Sequence, residues 1–361
     1  MISIIRIIII LIIFTLFYSI HYFIISTIST YHNFPFSFRK YSYPVFIIIT
    51  LSFVTQASYS ISVKLYAYIY FFATSYLGLI LNCSMGCLFY RMLTLIIPSS
   101  MFLGVIITII LPFFFTIYGI IKARNITIDK EITIKTPKYT NTQPIKIAHL
   151  SDMHLGAVYQ TDFVTKVVDI IIKKINPDIV VITGDLVDSS MNPNLEWFKP
   201  FSKITVPILY ITGNHEEIVG YEKVFDILKN TNITHIGKNK TGYLFKGINI
   251  IGIDYEYDPI RRIKEIEVPD DKVNILLTHV PIVSPEEMKG WGILLLLCGH
   301  THGGQMLPLH ITSYLNSKCF KGLYEKFGQY VYVSAGIGTA IFPMRTCSSS
   351  TIGVINIENS K

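Results

Sequence analysis

An α/β domain preceded by a transmembrane α-helical region is the fold class that the sequence predicts, on three observations. The 361 residues are 51% hydrophobic, and a mean hydropathy of +0.47 exceeds that of an ordinary soluble chain of this length. The excess lies almost entirely before Asn125, in long runs of Ile, Leu, Phe and Tyr. From residue 145 onward, short β-branched runs alternate with helical patterns, as in an α/β sheet.

The apolar part divides into about four spans. Residues 7–25 follow Arg6 almost without interruption and reach the roughly 20 residues a spanning helix needs. No small-residue cleavage pattern follows before Tyr31, which favours an uncleaved helix over a signal peptide. Further spans are predicted at 45–63, 65–90 and 100–121, bounded by Lys64, Arg91 and Lys122. A multi-pass membrane protein with four spans has both ends on one side. That side collects Arg6, Lys64, Lys122 and Arg124 against Arg39, Lys40 and Arg91, so the positive-inside tendency puts the C-terminal domain in the cytoplasm.

Charge follows the same division. Residues 1–144 hold 10 Lys/Arg against 2 Asp/Glu, and residues 145–361 hold 21 against 22, which together make the net +7. The basic residues flank apolar segments and form no stripe, so the lipid bilayer is the expected partner and nucleic acid is not. Cys83, Cys87, Cys298, Cys319 and Cys347 are odd in number and scattered, which argues against a disulfide framework and against a Cys-rich zinc site.

Residues 1–124 are thus the helical region. Residues 125–144 contain an alternating strand at 126–134 and a Pro-bounded linker at 137–144. The 217 residues of 145–361 suffice for one domain with a full core. Strands are predicted at 145–150, 179–183, 208–212, 249–254, 273–278 and 293–298, and helices at 162–175, 221–228 and 259–266.

Nearly every strand ends in a cluster of Asp, Asn or His, where open α/β sheets place their ligand sites. In order these are Asp152 and His154, Asp185 and Asp188, Asn214 with His215 and Glu216, His279, and His300 with His302. Oxygen and imidazole donors without thiolate suit divalent ions such as manganese, iron or zinc, and a set this large can hold two. His21, His32, His235 and His310 have no such context, and His149 on the first strand reads as packed or solvent-facing rather than as a metal ligand. Glu216 reads more readily as a helix-start acid than as a support for a ligand. Gly184, Gly213 and Gly299 allow tight strand-to-loop turns.

The segments HLSDMHLG, ITGDLVD, ITGNHEE, LTHVP and CGHTHGGQ resemble the five motifs of calcineurin-like metallophosphoesterases. The resemblance implies an α/β/β/α sandwich and a pair of divalent metal ions. It assigns Asp152, His154 and His302 to one ion, Asn214, His279 and His300 to the other, and Asp185 to both. His215 is then the acid that protonates the leaving oxygen, Asp188 orients it, and a metal-bridging hydroxide attacks phosphorus in line.

The segment GLYEKFGQYVYVSAGIGTAIFPMR resembles the C-terminal part of a membrane-associated subgroup of that family. Ala335 stands where the subgroup commonly has Arg, and Ser349, Ser350 and Thr351 stand where it has a Pro-Glu-Ile segment. Arg345 reads as an exposed surface residue, with a role in holding a phosphate as the alternative. The resemblance implies a membrane-anchored hydrolase of phosphate esters or pyrophosphates, and the anchoring points to a lipid-linked substrate. Two readings stay open beside it. One is a phosphodiesterase or phosphoprotein phosphatase for soluble substrates. The other is a transport or signalling protein whose domain merely binds metal.

Overall fold

The computed structural model describes residues 15, 18–31, 63–238, 242–255, 259–266 and 268–360. They fall into two compact units. One comprises the described parts of Met1–Ile121 together with Ile341–Thr346, and the other Lys122–Ala340 with Cys347–Lys361.

The first unit is helical. Helix α1 covers 18–31 and α2 covers Val63–Leu93. Helix α3 covers Met101–Arg124 with a wider π-turn at Ile106–Ile110. Pro112 lies just after that turn and has no N–H to donate to the carbonyl four residues back. Among the described residues, two helices are long and apolar enough to cross a membrane: Lys64–Leu93 and Met101–Arg124. Four spans do not follow. The span predicted at 45–63 lies outside the described residues except for Val63, and of that at 7–25 only 15 and 18–25 are described.

Within this unit Asn82 Nδ2 donates to Thr116 Oγ1 at 2.9 Å, joining α2 to α3. Ile24, Ile28, Ile80 and Cys87 pack α1 on α2. The segment Ile341–Thr346 belongs here, far from its sequence neighbours. Arg345 N–H donates to Gly119 C=O at 2.9 Å, and Met344 occupies the space left by the missing side chains of Gly78 and Gly119. Arg345 is fully buried, which corrects its reading as a surface residue.

The second unit holds two sheets. The alternating stretch predicted as one strand at 126–134 is two, β1 (Ile126–Ile128) and β2 (Ile132–Thr136), because one extra residue after Asp129 interrupts their shared parallel pairing with residues 350–359. Strands β3 (Ile145–Leu150), β4 (Ile179–Thr183), β5 (Ile208–Ile211) and β6 (Ile233–His235) follow in parallel. The first sheet runs β1-β13-β3-β4-β5-β6, with β2 also on β13 (Ser350–Asn359). The second runs β11-β12-β10-β9-β8-β7. Its members are β7 (Tyr243–Phe245), β8 (Ile248–Gly252), β9 (Val273–Leu277), β10 (Ile293–Cys298), β11 (Gly322–Lys326) and β12 (Gln329–Val333).

Alternation decides the layering. Ile147, Val181 and Leu209 of the first sheet pack against Ile250, Ile275 and Leu295 of the second in one buried cluster. The opposite face of the first sheet, with Leu150, Val180 and Ile182, packs under α4 (Thr161–Ile170) and α6 (Tyr221–Leu228), between which the short α5 (Asn214–Val219) begins. Leu276, Leu296 and Val331 on the outer face of the second sheet are covered by Ile263 of α7 (Pro259–Lys264) and by Met288. The result is an α/β/β/α sandwich. Asn141 of the predicted linker donates to Lys246 C=O at 2.7 Å, so that segment is fastened to the second sheet's β7–β8 turn.

Candidate metal centre

The parallel strands β3, β4 and β5 of one sheet and β9 and β10 of the other present their carboxyl ends on one side, and the loops leaving them carry the site. Those loops are laced together by their backbones. Asp152 N–H donates to Gly184 C=O at 3.1 Å and His154 N–H to Asp185 C=O at 3.0 Å. At Gly184, with φ +82°, a β-carbon would stand 2.7 Å from Gly213 N and from His279 Nδ1, so only glycine permits this approach. Asp152, His154, Asp185, His300 and His302 all have φ between 49° and 70°. Left-handed backbone is costly for residues with a β-carbon, and its concentration at five such positions marks a site whose geometry the surrounding fold enforces.

Seven donors converge in two groups. Asp152, His154 and His302 form one, with His154 Nε2 3.0 Å from His302 Nε2 and His302 Nε2 3.4 Å from Asp152 Oδ1. Asn214, His279 and His300 form the other: Asn214 Oδ1 lies 3.0 Å from His279 Nε2 and 3.0 Å from His300 Nδ1, and the two imidazole nitrogens are 3.2 Å apart. Asp185 stands between them. Its Oδ1 accepts the His215 backbone N–H at 2.9 Å, which leaves Oδ2 3.7 Å from His154 Nε2 and 3.3 Å from His279 Nε2.

These separations test the fit to ions. Donors about 2.1 Å from a common cation lie about 3.0 Å apart at right angles and about 3.4 Å apart in a tetrahedron. All the observed edges but the 3.7 Å one between Asp185 and His154 fall in that range, and the residues fit a pair of divalent ions sharing Asp185. His279 Nδ1 donates to Thr183 C=O at 2.8 Å, which leaves the Nε2 lone pair turned into the site.

Electrostatics agree. Burial alone pushes the His279 imidazole down, but the Asp185 and Asp152 carboxylates push its pKa up to about 10. Burial also works against the Asp185 carboxylate, yet His279, His154 and His215 hold it well below the usual carboxylate range. Positive charge is thus favoured beside Asp185, whereas burial and the neighbouring His279 push the His300 imidazole down to about 4. Asp152, His154, Asp185 and His279 are buried deep in it, whereas Asn214 and His215 are half-buried and His300 is exposed at the rim.

His215 lies edge-on to His154, ring centroids 4.6 Å apart, and its buried Nδ1 has no hydrogen-bond partner among the described residues. Burial pushes the Asp188 carboxyl up to about 6 against the opposing hydrogen bonds of Ser190 and the charge of His215. Its carboxylate accepts the Ser190 backbone N–H at 2.7 Å and the Ser190 hydroxyl, and among the described residues no hydrogen bond joins it to His215.

Glu216 differs most from its sequence reading. It is fully buried, and its carboxylate accepts four backbone N–H groups: Gly213 at 2.6 Å, Asp185 at 3.0 Å, Leu186 at 2.7 Å and Val187 at 3.1 Å. It pins the Asp185 loop to the start of α5. The signal was the Gly-Asn-His-Glu order itself, which puts the acid three residues beyond the glycine cap, where it can reach back. His149 takes the packed of its two readings, fully buried with Nε2 2.8 Å from Thr183 Oγ1. The five cysteines are free thiols.

Comparison with known proteins agrees with this geometry. The family model for calcineurin-like phosphoesterases matches residues 145–304. The chain is 33% identical over 238 residues to an uncharacterized metallophosphoesterase of Helicobacter pylori, covering 62% of this chain and 63% of that protein. It is 31% identical over 244 residues to one of Aquifex aeolicus, covering 63% of this chain and 91% of that protein. It is 28% identical over 287 residues to the Danio rerio transmembrane protein with metallophosphoesterase domain, covering 73% and 65%. The chain thus spans 63% of the length of the Helicobacter relative. Five motif loops, a shared carboxylate and these relatives agree: the chain belongs to the calcineurin-like phosphoesterase family.

Proposed function

We propose that the chain is a membrane-anchored hydrolase of phosphate esters or pyrophosphates that works with two divalent ions, manganese, iron or zinc. The observation that carries this reading is Asp185 Oδ2, directed at His154 on one side and His279 on the other. When bound, the ions supply Lewis-acid charge and an activated water as nucleophile.

The chain's own groups do the rest. The His215 backbone N–H holds Asp185 Oδ1 so that Oδ2 is shared, and Glu216 keeps that loop from shifting. His215, half-buried at the rim, gives a ring proton to the leaving oxygen as its bond to phosphorus breaks. The cytoplasmic side for this domain rests on the sequence reading alone.

Anchoring draws support from the two long apolar helices and from relatives whose names include a transmembrane protein. A substrate held in or at the bilayer, such as a lipid-linked pyrophosphate, explains why a phosphoesterase would be tethered. The outer face of α8 (Leu309–Asn316), beside the site, exposes Ile311, Tyr314 and Leu315, a surface suited to lipid.

The test is hydrolysis by the full chain in detergent. Activity on phosphomonoesters, diesters and lipid pyrophosphates should vanish with chelator and return with manganese; activity indifferent to chelator contradicts the two-ion reading. Efficient hydrolysis of soluble nucleotides with none of lipid-linked ones would remove the lipid part alone.

A further inference from the structure

A cavity of about 290 Å³ opens directly beside His300. Its walls are Val280 and Pro281 after β9, Thr301 after β10, and the inner face of α8 with Ser317 behind it. Residues 312, 313 and 316 fall on one side of α8 by helical spacing, while Ile311, Tyr314 and Leu315 fall on the other. The side turned to the cavity is therefore the polar one.

The chemistry of that lining is specific. Thr301 Oγ1 donates to Phe320 C=O at 2.7 Å and accepts the Gly303 N–H at 3.3 Å, and Thr312 Oγ1 donates to Leu309 C=O at 3.0 Å, so these hydroxyls are oriented and Thr301 keeps one lone pair to offer and Thr312 two. Ser313, Asn316 and Ser317 make no side-chain hydrogen bond to the described residues, so their donors and acceptors are available. Apart from His300 at the mouth, the lining contains no Lys, Arg, Asp, Glu or His. A charged group entering here finds no charged side chain of the lining to pair with, whereas a hydroxyl finds the hydroxyl and amide groups of Thr301, Thr312, Ser313, Asn316 and Ser317. Val280 and Pro281 offer an apolar wall to carbon. The size suits one small group, since whole-ligand sites start at roughly 300 Å³.

We infer that this cavity is the subsite for the group esterified to the phosphate, and that it selects an uncharged, hydroxyl-bearing group over a charged or purely apolar one. The inference rests on the phosphoesterase reading above and sharpens it, because His300 at the mouth sets the phosphate at the ion pair and the ester's organic part against α8. A free polyol phosphate and a polyol phosphate carried on a lipid headgroup present the same chemistry to it.

Three esters test the selection with the manganese-loaded full chain: methyl phosphate, glycerol 1-phosphate and 2-carboxyethyl phosphate. Glycerol 1-phosphate should show kcat/KM about tenfold above both others, the effect of one or two net hydrogen bonds. Asn316→Leu should collapse that advantage over methyl phosphate, and Asn316→Gln, which keeps the amide, should restore part of it. Equal rates for the three esters, or an Asn316→Leu loss that is the same for all of them, would overturn the subsite.

Calorimetric binding of the phosphonate analogue of glycerol 1-phosphate gives a readout that needs no turnover. If the phosphoesterase reading fails, all turnover is absent while the binding difference between wild type and Asn316→Leu persists. If the subsite fails, turnover persists and the binding difference is absent. Vesicles of phosphatidylglycerol phosphate then separate the sources: faster turnover than for glycerol 1-phosphate assigns the group to a lipid headgroup, and slower turnover assigns it to a soluble ester, the subsite standing in either case.

Discussion

The two units of this chain are organised in opposite senses. In the helical unit, Leu95 and Ile96 are more than four-fifths exposed while Thr74, Thr108 and Asn82 are buried. In the catalytic unit, Ile147, Ile275 and Leu295 are buried and the surface is charged, and much of the buried polar chemistry gathers at the strand ends that form the site. Under the proposed anchoring both follow one rule in different solvents: apolar surface would face lipid in the first and is hidden from water in the second. A buried polar group in the helical unit therefore ties helices together, while in the catalytic unit it costs stability and is kept for ions or for a fully satisfied network.

Several changes would break or sharpen this contrast. His215→Asn should give the largest effect, lowering turnover by about 10² or more while leaving manganese content unchanged. Unchanged turnover of a bis-ester would remove His215 from the chemistry. Glu216→Gln should follow, costing about tenfold or more in manganese affinity, since one of its two oxygens becomes a donor facing backbone N–H groups.

The contrast itself is tested by a matched pair. Asn274 Nδ2 donates to Pro269 C=O at 2.7 Å and to Gly292 C=O at 3.0 Å, so Asn274→Leu should destabilise the catalytic unit by about 2 kcal/mol or more, seen in chemical denaturation. Asn82→Leu removes the Thr116 contact but gains apolar surface, and should cost about 1 kcal/mol or less in detergent unfolding. Equal costs would show that the two units share one solvent.

The smallest effect concerns pH. Burial pushes Asp254 up, but His235, 2.9 Å away, and the Thr212 N–H hold its carboxyl below its ordinary 3.8. Because the folded value is the lower one, the stabilisation is complete above pH 3.8 and is lost as pH falls through the folded value. Thermal melts across that window should show a loss in wild type that Asp254→Asn lacks.

Much of the catalytic unit could be read from local pattern. The strands at 145–150, 179–183 and 293–298 have the predicted bounds, because each is a β-branched or Leu-rich run closed by turn residues and buried on both faces. Strand β13 was missed although it sits in the middle of the first sheet, since its pairing with β3 spans about 200 residues and leaves no local mark. For the same reason nothing in the sequence placed Ile341–Thr346 with the helices. The seven donors were legible as residue types after strands, and the structure brings all seven together. Their left-handed backbone was not legible, because Asp and His carry no sign of it as glycine does. Glu216 was underread because its worth lies in four backbone partners, three of them about 30 residues away.

The central claim is one carboxylate shared by two ions, and metal stoichiometry tests it most directly. Manganese titrated into the metal-free full chain, with bound metal counted by elemental analysis, should reach two ions per chain in wild type and one in His300→Ala, with Asp185→Ala weakening both. A single ion in wild type, or full retention of two by Asp185→Ala, would contradict it.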